Sequence, residues 1–175
     1  MNNFFKKINI RSQKGLSIVE LLLYMGILSI LLSVLTSIFV SALDVQSESN
    51  AVSSVEQDGN YILARLSYDV RRAESISIPA SGGLPPTDNF GIAIEGESYA
   101  YTVDINGNLL LTNNLGTNTL NNYGSSVSSF AVERFGNPGG VEDTLKISFT
   151  ITGRTIRVSG VEAKDFETTL ALRRQ

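Results

Sequence analysis

Residues 21–43 form 23 consecutive positions without a formal charge, and this run constrains the chain more than any other feature. At about 1.5 Å per residue, a helix over it measures about 34 Å, against a bilayer hydrocarbon core of about 30 Å. The run is not uniformly apolar, because Ser29, Ser33, Thr36, Ser37 and Ser41 interrupt it. Their hydroxyls can bond back to the preceding turn, which makes them tolerable in lipid and suits a helix that packs against others. One carboxylate, Glu20, stands at the edge of the run, and nothing else ionisable follows until Asp44. An unpaired acid within lipid costs on the order of 2.5–3.5 kcal/mol. Glu20 therefore asks for a partner.

Charge is distributed unevenly around this run. Residues 1–15 carry Lys6, Lys7, Arg11 and Lys14 with no acid, a net +4, while the remaining 160 residues carry 10 basic and 17 acidic side chains. The basic segment stays cytoplasmic by the positive-inside rule, which places the C-terminal part outside. A body this acidic is a poor generic nucleic-acid binder, because phosphate contacts need clustered cations. The chain has 175 residues with no Cys and no His. Disulfides and thiol chemistry are excluded, and the usual general base and commonest metal ligand are missing, which disfavours an enzyme. About a hundred residues remain for one small domain with a real core.

Three readings compete for the N-terminal region. An ordinary secretory signal has an apolar region of about 7–15 residues followed by a small-residue cleavage site. Here the run is longer and the small residue precedes it. A plain signal anchor accounts for length and charge but gives Glu20 no role. The third rests on Lys14-Gly15-Leu16-Ser17-Ile18-Val19-Glu20. Together with the basic leader and the apolar span, this stretch resembles the class III signal of type IV prepilins and type II secretion pseudopilins, which has a Gly, usually a Phe, and a Glu at the fifth mature position. The sequence departs from that pattern in having Leu16 for Phe, and in having no proline before Pro79, whereas many major pilins carry one in the apolar helix.

The resemblance implies recognition of the leader, Lys14 included, by a prepilin peptidase. It also implies cleavage after Gly15, N-methylation of the new terminus at Leu16, and a role for Glu20 in assembly. In that family the glutamate is thought to engage the terminal amine of a neighbouring subunit. The physical logic is that each charge alone is expensive in an apolar surround and pairing relieves both. Within one subunit Leu16 and Glu20 are also spaced i, i+4, so partial neutralisation in the same chain is open. So is snorkelling of Glu20 to the membrane interface. The implied partners are the peptidase, other pilins or pseudopilins through the N-terminal helix, the cytoplasmic membrane and an inner-membrane assembly platform. No cofactor, metal or catalytic residue is implied.

Beyond Asp44 the pattern changes to an amphipathic stripe. Apolar or small residues recur at Val45, Val52, Val55, Gly59, Ile62, Leu66, Val70 and Ala73, while Glu48, Glu56, Asp58, Arg65, Asp69 and Arg72 populate the other face. This predicts that the helix continues, broken or bent near Asp58-Gly59-Asn60, to about Ser75. Leu66, Asp69, Val70, Arg71 and Ala73 faintly resemble an L-x-x-D-(L/V)-R-x-A pattern of W-type minor pilins and J-type minor pseudopilins. An amphipathic helix with solvated Arg and Asp explains the same residues. Glu167-Thr-Thr-Leu-Ala-Leu-Arg173 loosely resembles the closing strand of that group.

Strand signals dominate the remainder. Runs at 90–94, 99–105, 109–112, 127–135, 145–152, 155–158 and 166–172 read as strands, with Asn106-Gly107 as a hairpin turn. Residues 81–88 and 136–140 read as loops, and 115–126 as an irregular connection. Asp104-Ile-Asn-Gly-Asn108 has oxygen ligands at alternate positions but lacks the features of a calcium loop, and a turn explains it. Glu142-Asp143 reads as a solvated turn, and Arg71-Arg72 as a small basic patch with a solvated or intersubunit role. The divisions expected are a leader at 1–15, a membrane or filament-core helix at 16–43, an amphipathic helix at 44–78 and a sheet head at 79–175. The fold class expected is α+β, a long N-terminal helix packed on an antiparallel sheet in the pilin-like manner.

Overall fold

A single helix, α1 (Ile18–Arg72), occupies both the uncharged run and the amphipathic stretch. The computed structural model describes residues 15, 17–80, 86–136, 144–156 and 160–172. The chain divides into two compact units, with the boundary between Leu43 and Asp44.

In the first unit the apolar face of the helix is exposed among the described residues. Its large hydrophobic side chains from Ile18 to Leu43 are 47–79% exposed. Mean hydropathy reaches 2.4 over an 18-residue window, so this helix is long and apolar enough to cross a membrane. Three of the interrupting hydroxyls bond back as expected: Ser29 to Met25 O at 2.8 Å, Thr36 to Leu32 O at 2.8 Å and Ser41 to Ser37 O at 3.0 Å.

In the second unit the helix buries Ala51, Val55, Asp58, Gly59, Ile62, Leu66, Asp69 and Val70. Successive members lie one, three or four residues apart, which keeps them on one face. Val45 is exposed and Val52 half-buried, so the buried stripe starts at Ala51 rather than Val45. No break occurs at 58–60. Gly59 is instead where the Phe166 ring lies on the helix: a Cβ there would sit 2.0 Å from the ring. The absence of a side chain admits a close neighbour and does not interrupt the helix.

The helix ends at Arg72, earlier than expected. Glu74 N donates to Ala93 O at 2.8 Å, and the chain enters β1 (Ser75–Ile78). Alternating Ser and Ile favour a strand here, with Ile76 buried. β2 (Phe90–Ile94), β3 (Glu97–Val103), β4 (Leu109–Asn113) and β5 (Gly116–Thr119) complete a five-stranded antiparallel sheet in sequential order. β5 falls within the stretch expected to be irregular. It is a polar edge strand exposed on both faces, so no apolar alternation announces it. β6 (Ser125–Phe135), β7 (Thr144–Gly153) and β8 (Ala163–Ala171) form a second antiparallel sheet. Thr155 and Ile156 lie in no strand, contrary to the reading of 155–158, and Ile156 is exposed.

The helix stripe and both sheets share one core. It includes Val55, Ile62, Leu66 and Val70 from α1, Phe90, Ile92 and Tyr101 from the first sheet, and Leu145, Ile147, Phe149 and Phe166 from the second. The architecture is α+β, a long N-terminal helix packed on antiparallel sheet, consistent with a pilin-like fold.

Candidate functional site

The candidate site lies at the start of α1. Ser17 directly precedes the helix, and its carbonyl accepts from Leu21 N at 3.0 Å. Ser is a favoured residue at that position. Glu20 follows in the first turn, where the positive end of the helix dipole favours a carboxylate. Its side chain has a partner that the sequence reading did not name: Tyr24 Oη donates to Glu20 Oε1 at 2.9 Å. The available signal was the i, i+4 spacing of a phenol and an acid on one helix face. Gly15 is exposed, and a Cβ added there would meet nothing within 4 Å. Lys14 and Leu16 lie outside the described residues.

The second unit treats its helical acids differently. Asp69, expected on a solvated face, is fully buried. Arg65 Nε bonds its Oδ2 at 2.7 Å, and Tyr101 Oη donates to the same oxygen. Oδ1 of Asp69 is buried with no hydrogen-bond partner among the described residues. Burial, followed by the bond to Asp69 and its negative charge, pushes the Tyr101 phenol well above its ordinary range. Asp58 is also buried: its Oδ2 accepts from Asn122 N at 3.1 Å and from Ser125 Oγ. One acid thus ties α1 to the middle of β3 and the other ties it to the entry of β6. Spacing could have found both. Asp58 lies three residues after Val55 and four before Ile62, and Asp69 lies three after Leu66 and four before Ala73, so both belong to the stripe.

Other sequence candidates resolve into structural roles. Asp104 Oδ1 accepts from the backbone N of Asn106 and Asn108, both at 2.8 Å, and Oδ2 accepts from Asn108 Nδ2 at 2.8 Å. Its carboxylate is committed to the β3–β4 turn, where Gly107 has a φ of 74°. Among the described residues, no group of three or more Asp or Glu side chains could hold a metal. Arg72 pairs with Glu95 at 2.8 Å and lies over the Tyr68 ring, while Arg71 is exposed. Glu142 and Asp143 lie outside the described residues. A cleft of about 570 Å³ lined by Pro79, Pro86, Thr87, Asp88 and Phe130 has Asp88 as its ionisable side chain and no acid–base pair among the described residues. Comparison with protein-family models, curated proteins and solved structures finds no match.

Proposed function

We propose that this chain is a minor pilin or minor pseudopilin, a subunit of a type IV pilus-like filament placed in a priming or tip complex. The observation that carries this reading is the conjunction of Lys14-Gly15-Leu16-Ser17-Ile18-Val19-Glu20 with an apolar helix whose surface is exposed among the described residues. An apolar surface of that extent needs lipid or other helices to cover it. In the prepilin the cover is the cytoplasmic membrane, with the N-terminus inside and the sheet domain outside. In the filament it is the corresponding helices of neighbouring subunits.

Each residue then has a distinct role. Lys14 belongs to the leader that prepilin peptidase recognises, Gly15 is the last residue removed, and Leu16 supplies the amine that is methylated. Glu20 sets register, because its charge is relieved only when a neighbour's amine reaches it. An inner-membrane assembly platform is the remaining partner. The chain itself carries out no reaction and takes no cofactor.

Mass spectrometry of the envelope fraction tests this directly. The expected N-terminus is a methylated Leu16. An intact Met1, or a cut elsewhere, means an anchored domain that does not polymerise. Abundance in sheared filaments separates a trace minor subunit from a main one. Glu20→Val is expected to be processed normally yet to fail to enter filaments, and normal incorporation would remove the register role.

A further inference from the structure

We infer that Tyr24 is a positioning residue for Glu20: its hydroxyl serves as the carboxylate's partner within the chain, before any neighbouring subunit is available. The inference rests on the membrane-span part of the proposed function and not on cleavage or polymerisation. Two polar groups enter the apolar segment one helical turn apart, the Glu20 carboxylate and the Tyr24 phenol. A carboxylate or a phenol left without a hydrogen-bond partner is costly in hydrocarbon. At i, i+4 spacing the hydroxyl reaches Oε1 at 2.9 Å, so one hydrogen bond satisfies both groups. The donor is neutral. Tyr24 therefore leaves the negative charge of Glu20 in place and available to a cation. A Lys at the same position would neutralise the carboxylate and remove its attraction for a neighbour's amine.

An interfacial aromatic belt is the competing account of a tyrosine near the end of a membrane helix. It explains the ring and makes no use of Glu20. The two accounts separate in a double-mutant cycle on the full, unprocessed chain in phosphatidylcholine–phosphatidylglycerol vesicles. The readout is hydrogen–deuterium exchange of the amides in the first two turns of α1. Buried hydrogen bonds between membrane helices average about 0.6 kcal/mol, so Tyr24→Phe is expected to speed exchange there about threefold. In a Glu20→Leu background the same substitution is expected to change nothing. Equal acceleration in both backgrounds, or none in the wild-type background, would overturn the assignment. Because the chain is unprocessed, neither result depends on whether Gly15 is ever cut or a filament ever forms.

Discussion

The two ends of α1 show opposite solutions to one problem. From Ala51 onward the helix carries two acids on its buried stripe, and each is met by groups brought from far along the chain: Tyr101 for Asp69, and Asn122 with Ser125 for Asp58. From Ile18 to Leu43 the helix is more apolar, its large hydrophobic side chains are exposed among the described residues, and Glu20 is met by the Tyr24 hydroxyl a turn away. A helix that packs on its own sheets can fix its polar groups during folding. A helix without such a sheet must wait for lipid or for another chain. The difference separates a half of α1 whose acids are met by its own unit's strands and loops from a half that leaves an apolar surface exposed.

Core truncation gives the largest test of that contrast. Phe149 lies between Phe130 and Phe166, with ring centroids 6.5 Å and 5.5 Å away. Phe149→Ala is expected to destabilise the second unit by about 3–5 kcal/mol, since the transfer term and the cavity add. Leu31→Ala, on the uncovered half, is expected to leave the same transition unmoved. Denaturant unfolding of the full chain in detergent micelles, followed by near-ultraviolet circular dichroism, reads both. A comparable shift from Leu31→Ala would mean that the first unit is packed after all.

Asp69→Ala is the next largest. It leaves the Tyr101 hydroxyl buried without its acceptor, a loss of about 1–3 kcal/mol. Arg65 retains one third of its side-chain exposure, so water relieves its unpaired charge and the loss stays below that of a fully buried pair. Asp69→Asn keeps an acceptor and is expected to cost less. If both variants unfold like the wild type, the buried acid does not anchor the helix to β3.

Much of this division was legible in the sequence. Uncharged length located the uncovered half, and i, i+3/i+4 spacing located most of the buried stripe. Strand signals located β2, β3, β4, β6, β7 and β8, most clearly β7, where buried residues repeat every two positions. Reading residue type ahead of position misplaced Asp58 and Asp69, since an acid was assigned to solvent even where its spacing put it on the stripe. Gly59 was taken as a breaker for the same reason, although in a helix a glycine can equally admit a neighbour such as Phe166. β1 was hidden because Ile76 falls three residues after Ala73, on the apolar period of the helix, and β5 because both of its faces are wet. The Tyr24–Glu20 bond could be drawn from spacing alone. The long-range partners of Asp58 and Asp69 required knowing which strands reach the helix.

The smallest test concerns an acid of a third kind, half-buried and hydrogen-bonded within its own turn. Hydrogen bonds from Asn108, its backbone first and then its side chain, hold the Asp104 carboxyl below the usual range against the opposing effect of desolvation, with Asn106 adding less. A carboxylate with a depressed folded pKa contributes stability that is present above its unfolded pKa, about 3.9, and is lost as pH falls through the lower folded value. Asp104→Ala is therefore expected to be less stable than the wild type at neutral pH. The gap should narrow as the pH drops below about 4, because protonation removes from the wild type part of what the substitution removed outright. Unfolding midpoints of both chains measured at pH 7 and at intervals down to pH 2 read this narrowing. A gap constant across that range would mean that the turn holds through its backbone alone, and that Asp104, unlike Asp69, is no part of what makes the second unit complete.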